Sequence, residues 1–541
     1  MSGHADLVYR NGRVFCADPA RSWAETIAVS GGRITAVGGW SEVAASVGPA
    51  TEVIDLEGRF LCPGFQDAHV HPHTGGRTML LCDVSAARDA GDALRRIGEY
   101  AAAHPDEAWI RGGGWRFPWF DGGMPSAELL DTVVPDRPAY LRVADGHAGW
   151  ANSAALAAAG IDAATPEPRY GRIERLLGGL PQGTLQEEGA MELVERILPG
   201  ELPEELERAL LVAQDHLLSL GITAWQDASV DERLHLAYLR LATEGRLRAT
   251  VRGALWWDAE AGLDQLDDFE VMRREAMGRY RAGTVKLMLD GVCENFTART
   301  LTPYLDRAGR PTDNFGMDYV DPGALPGIVI EIMRRGFQPH FHALGDAAVR
   351  SALDAVAAAR TALGWSDVRP HLAHLQIVHP DDIPRFRRLG VTANVQAVWA
   401  CADAAMIGLT IPFLGEPRAS WQYPFGGLLR AGATLAMGSD WSVTTADPMA
   451  QIAVAVGRRV IGDPGAPVFL PEQRISLTDA LVGFTAGSAY VNHRDGESGV
   501  IRPGAVADLV ILDGDPFETD DIASIRVHET VVGGRTVPGG A

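Results

Sequence analysis

The stretch Gly64-Phe65-Gln66-Asp67-Ala68-His69-Val70-His71 places two imidazoles at alternate positions of an apolar run. On a strand, side chains two residues apart share a face, so His69 and His71 would point the same way. Two neutral imidazoles on one face can chelate a divalent metal, and Pro72 would end the strand where a ligand-bearing mouth is wanted. A second signal is compositional: of 48 basic residues all but one are arginine, and the exception is Lys286. Arginine cannot replace lysine where a nitrogen must lose its proton, whether for a Schiff base, a general base or a carbamate.

These residues need a scaffold that brings distant segments together. Apolar strand-like runs begin near Gln66, Ala139, Ile222, Thr284, Gln338, Pro370, Val391 and Thr434, and they alternate with helical stretches. After His342, for example, Gly345-Asp346 can cap a helix carrying Val349, Leu353, Val356 and Leu363 on one face. Eight such runs predict an α/β chain built on a closed (β/α)8 barrel of the TIM type, in which chemistry sits at the C-terminal ends of the strands. Five of the runs carry His69, His71, Lys286, His342, His374 and Asp440. His340 and His371 flank them and are expected to face the helices or to support the others. His147 follows the second run within Asp145-Gly146-His147, close enough to hydrogen-bond a substrate carbonyl or to brace a neighbour.

Both chain ends read differently from the middle. Residues 1–62 and 487–541 contain short strands with turn signals such as Asn11-Gly12, Gly31-Gly32 and Gly533-Gly534. Neither piece can bury a core alone, so the two are expected to form one small β-sandwich flanking a barrel of residues 63–486. Within the barrel, residues 112–123 read as a glycine-framed aromatic loop with Trp115, Phe117, Trp119 and Phe120. It would serve either as a lid over the mouth or as a loop packing its own rings. As a lid it favours a neutral substrate with an apolar substituent, whereas Arg111 and Arg116 turned inward would favour a carboxylate.

A net charge of -22 over 541 residues opposes binding to nucleic acid and to anionic membranes, and favours a small-molecule substrate. Five scattered cysteines without a CxxC pair suit a reducing compartment, and no leader or membrane-spanning segment is evident, so a cytoplasmic location is expected. A homo-oligomer is compatible with this composition.

The motifs PGFQDAHVH at 63–71, DGHAGWANSAAL at 145–156, GITAWQDA at 221–228, VKLMLDG at 285–291, HFHALGDAAV at 340–349, GSDWSV at 438–443 and GVIRPGAVADLVILDGDP at 499–516 span nearly the whole chain. Together they resemble the amidohydrolase superfamily and, within it, the YtcJ-like branch (amidohydrolase family 3). The resemblance implies that His69 and His71 bind the more buried metal, that Lys286 is a bridging carbamate formed with carbon dioxide, that His342 and His374 bind a second metal, and that Asp440 completes the set. Zinc is the expected ion, with manganese or cobalt as alternatives. Ala373 stands where relatives usually carry a glutamate, so the substrate is not inherited with the ligands. The expected activity is cleavage of a C–N bond in an amide, an N-substituted formamide or a cyclic amide by metal-bound hydroxide, with Asp440 and His147 as catalytic groups. Ester hydrolysis, deamination or isomerisation on the same barrel, and an inactive binding protein, are the competing readings.

Overall fold

Eight parallel strands lie side by side in chain order at the centre of the molecule. A computed structural model describes residues 4–537. The strands are β1 (Phe65–Val70), β2 (Ile222–Val230), β3 (Thr250–Trp256), β4 (Tyr280–Met288), β5 (Gln338–Ala343), β6 (His371–His374), β7 (Thr392–Val395) and β8 (Leu435–Met437). Each neighbouring pair is parallel. The ring is closed just beyond β8, where Asp440 N–H donates to His69 O at 2.8 Å and His71 N–H to Trp441 O at 2.7 Å. Such strands are buried on both faces, and every residue of β1 and β5 is buried, the polar Gln66, Asp67, His69, Gln338, His340 and His342 included.

The outer helices follow the 3.6-residue period. In Asp346–Leu363, Val349, Ala352, Leu353, Val356 and Ala359 are buried, and Gly364 ends the helix with φ of 77°.

One expected strand is misplaced. The run at Ala139 forms Ala139–Val143, but it pairs with Ile110–Trp115 and Ala148–Ala151 in a separate six-stranded sheet. That sheet is inserted between β1 and β2, and its remaining strands are Cys82–Asp83, Arg172–Arg175 and Pro181–Gln186. The second barrel position belongs instead to β2, and the strand missing from the expected eight is β3, whose sequence TVRGALW carries an arginine and a glycine at its centre. Arg252 is accommodated because its Nε donates to Thr284 Oγ1 on β4 at 3.2 Å.

The glycine-framed stretch correspondingly begins as a strand, and only residues 116–123 form turns beyond it. Gly112 through Trp115 belong to strand Ile110–Trp115, and a Cβ on Gly112 would fall 2.0 Å from Cys82 O on the adjacent strand. Its glycines allow close strand approach rather than flexibility.

Chain-terminal strands share a further sheet. Phe60–Pro63 pairs in parallel with Arg13–Phe15 and antiparallel with Leu509–Leu512. Alternation sorts the last of these: Leu509 and Ile511 enter a core with Tyr9, Ile27 and Val531, whereas Val510 and Leu512 join the core that continues into the barrel. A four-stranded sheet containing Leu7–Arg10 and Thr26–Ser30 covers the other side of that smaller core. Helix Ser488–Val491 still belongs to the barrel side, with Ser488 Oγ donating to Met437 O at 2.8 Å. Among the described residues, no helix is long and apolar enough to cross a membrane.

Candidate metal centre

The C-terminal ends of β1, β4, β5, β6 and β8 converge on one buried point. His69 lies in β1 and His71 one residue beyond it, and their Nε2 atoms are 3.3 Å apart. Asp440 follows β8 with φ of 54°, and its Oδ1 is 3.2 Å from the Nε2 of each. From β4, Lys286 brings Nζ to 3.4 Å from His69 Nε2. His342 ends the inward row of β5. His374 closes β6 with φ of 79°, a left-handed turn that swings its ring toward the others, 4.4 Å from the His342 ring and 4.8 Å from the His69 ring. Non-glycine residues in that region of backbone space are sparse and concentrate where a site dictates them.

All six residues named from the sequence therefore gather here. Among the described residues, His69, His374 and Asp440 offer ligand atoms that all lie within 4.8 Å of one another.

Burial governs their charge states. It drives His69, His342 and His374 well below the ordinary 6.5, in His69 and His342 with the Lys286 charge as the next cause and in His374 with the His342 charge. Burial likewise lowers Lys286 to about 7, against the pull of Asp440 and Asp227. For Asp440 burial pushes upward, but the hydrogen bond with His71 and the His374 charge outweigh it and hold the carboxyl below its ordinary value. Neutral imidazoles, a lysine that sheds its proton easily and an ionised carboxylate make a donor set for a divalent cation.

Orphaned atoms point the same way. Both ring nitrogens of His374 are buried without a hydrogen-bond partner. Leaving such an atom unpaired costs about 1–3 kcal/mol, which coordination would recover. The residues present fit a divalent metal.

Supporting groups surround this set. His69 Nδ1 lies 2.8 Å from His340 Nε2, which fixes the ring with Nε2 toward Asp440. His340 faces the barrel interior rather than the helices. So does His371, whose Nε2 bonds Gln226 Oε1 at 3.0 Å and whose Nδ1 bonds Asn394 at 3.2 Å. Asp290, just past β4, accepts N–H bonds from Arg299, Leu344 and Gly345, and its Oδ1 is 3.3 Å from His342 Nδ1. Burial raises its carboxyl to about 7 in spite of those amides. Its place in VKLMLDG was the signal available for it.

His147 reaches the rim from the inserted sheet, its ring 5.7 Å from that of His342. Nδ1 donates to Glu187 Oε2 at 2.7 Å. Burial alone would lower the imidazole, but the Glu187 charge prevails and raises it to about 9. Glu187 was not singled out from sequence, where it is one acid among many.

The aromatic residues do not line the mouth as a lid would. Trp115 is fully buried, donates Nε1–H to Leu141 O at 2.9 Å and packs edge-on against Trp150, while Phe117 is also buried in that core. Trp119 and Phe120 pack against the same cluster. The aromatic-substituent argument loses its basis because these rings form the core of the insertion.

The amidohydrolase family model matches residues 52–538. Protein LONG AFTER FAR-RED 3 of Arabidopsis thaliana is 31% identical, with 98% of this chain and 91% of that protein covered. N-substituted formamide deformylase of Arthrobacter pascens is 28% identical, with 99% and 98% covered. Among solved structures, an uncharacterized metal-dependent hydrolase from Pyrococcus furiosus superposes with a TM-score of 0.72 at 26% identity, covering 95% of this chain and 100% of that one. With the barrel and its converging histidines, lysine and aspartate, these matches establish that the chain belongs to the amidohydrolase family.

Proposed function

We propose that this hydrolase cleaves C–N bonds in small amides, N-substituted formamides first among them. The observation that carries the reading is the convergence of His69, His374 and Asp440 beside the chain's single lysine. His69, His71, Lys286 as its carbamate with carbon dioxide, His342, His374 and Asp440 would hold one or two divalent ions, zinc in the first instance. When bound, such an ion acts as a Lewis acid and brings the pKa of water from about 15.7 toward 7.

The chain's own groups do the rest. Asp440, ionised and set between His69 and His71, is placed to take a proton from the attacking water and to deliver it to the leaving nitrogen. His147 presents Nε2 at the rim beside His342, where it can hydrogen-bond the substrate carbonyl oxygen as charge builds there. His340 bonds the ring of His69, and the Asp290 carboxyl stands beside that of His342. All five cysteines are free and buried, which suits a cytoplasmic enzyme. The deformylase among the relatives makes N-substituted formamides the first substrates to try.

Metal analysis of protein purified without chelator, followed by a screen of formamides, amides, cyclic amides and esters with zinc, manganese or cobalt supplied, tests the reading. Release of amine from formamides supports it. Cleavage of esters alone, or protein that takes up no metal, would overturn it.

A further inference from the structure

His147 and Glu187 are brought opposite each other by the register of the inserted sheet. The antiparallel ladder pairs Ala148 with Gln186, so the next residue outward is His147 on one strand and Glu187 on the other. Glu187 N–H donates to His147 O at 2.8 Å, and the imidazole returns the bond from Nδ1 to Oε2 at 2.7 Å. Two residues tied through backbone and side chain together have little freedom to rotate apart.

The barrel side holds the same carboxylate. Thr297 Oγ1 donates to Oε1 at 2.6 Å and Tyr319 O–H to Oε2 at 2.9 Å, both from the segment between β4 and β5. Glu187 is 2% exposed and sits at φ of 60°, in the left-handed region. A Cβ on Gly291 would fall 2.1 Å from Thr297 Oγ1 and 2.8 Å from Glu187 Oε1, so the cradle needs a glycine there. Asn295 Nδ2 adds a longer bond to Oε1 at 3.5 Å, and a strained, buried acid that receives four donors across two oxygens is the arrangement of a carboxylate fixed in place.

With Nδ1 committed to that carboxylate, Nε2 is the ring atom left for the site. A carboxylate behind an imidazole sets its tautomer and steadies positive charge on it when Nε2 holds a proton. We propose that Glu187, cradled by Thr297 and Tyr319, is a positioning residue that locks His147 with Nε2 turned to the substrate carbonyl. The inference rests on the C–N hydrolase reading above, and it makes the barrel's chemistry depend on the inserted sheet.

A double-mutant cycle in metal-loaded enzyme tests it with a formamide substrate. Glu187→Gln should lower kcat about a hundredfold, the scale of losing one oriented donor, with KM and bound metal unchanged. In a His147→Ala background the same change should cost nothing further. Additive losses, or metal lost from the single variant, would make Glu187 a merely structural acid and overturn the proposal. If Glu187→Gln does not fold, Tyr319→Phe removes one donor from the cradle and should lower kcat about tenfold on the same pattern.

Proton NMR supplies a readout without turnover. Wild type should show a downfield imidazole N–H resonance that disappears in His147→Ala and weakens or moves upfield in Glu187→Gln. Its absence from wild type would overturn the inference. Its presence in a protein that cleaves no amide would instead fault the C–N reading and leave the clasp standing.

Discussion

Lys286 Nζ stands 3.4 Å from His69 Nε2, two basic nitrogens within hydrogen-bond reach inside the barrel. They cannot both keep a proton at that distance without a large penalty, and burial already lowers Lys286 to about 7. A neutral amine is the form that adds carbon dioxide. Lys286→Ala should therefore abolish hydrolysis and reduce bound metal, with partial recovery on adding short carboxylic acids. Lys286→Arg should be equally inactive, because guanidinium does not give up its proton; full activity in that variant would refute the carbamate.

Asp440 is expected to move protons as well as bind. Asp440→Asn should lose about 10²–10⁴-fold in kcat, the range for general acid–base help, while retaining much of its metal. Turnover at the wild-type level, measured alongside metal content, would remove it from the mechanism.

Trp115 is expected to matter for stability and not for substrate size. Replacing a fully buried tryptophan by alanine costs about 3–5 kcal/mol, so Trp115→Ala should melt well below wild type. KM should change by the same factor for small and bulky formamides. A selective rise for bulky aromatic ones at unchanged stability would restore the lid.

His371 should contribute to acid sensitivity. It donates through Nε2 and accepts at Nδ1, and burial, with the Lys286 charge next, keeps it well below the ordinary 6.5. Above 6.5 neither the folded nor the unfolded ring takes a proton, and this group adds no pH dependence. As pH falls below that value the unfolded ring binds a proton that the folded ring refuses, so stability is lost by up to about 1.4 kcal/mol per pH unit. Denaturation midpoints at about pH 7 and pH 5 should therefore fall further in wild type than in His371→Gln. Equal losses would mean that the folded ring protonates freely.

What could be read in advance was what depends on residue type. The alternation of His69 and His71 before a proline, and a solitary lysine in an arginine-rich chain, are rare enough to stand out, and the structure gathers them. Membership of a particular sheet is harder to read. Ala139–Val143 and β3 are both short, buried runs, and nothing local says that the first pairs with Ile110–Trp115 while the second, broken by Arg252 and Gly253, completes the barrel. Glu187 was invisible for a related reason: its importance comes from lying across a ladder from His147, 40 residues earlier. The glycines at 112–114 misled because close approach between strands and freedom in a loop call for the same residue.

The lone lysine also makes the molecule a convenient subject for limited proteolysis. A lysine-specific protease has one peptide bond to cut, between Lys286 and Leu287, and both residues lie buried in a strand paired on either side. Fraying at the ends or motion in the insertion would not expose that bond; opening of the barrel would. The appearance of two fragments, 1–286 and 287–541, therefore times the rupture of the central sheet itself, and bound metal should lengthen that time in proportion to how firmly it holds the strands together.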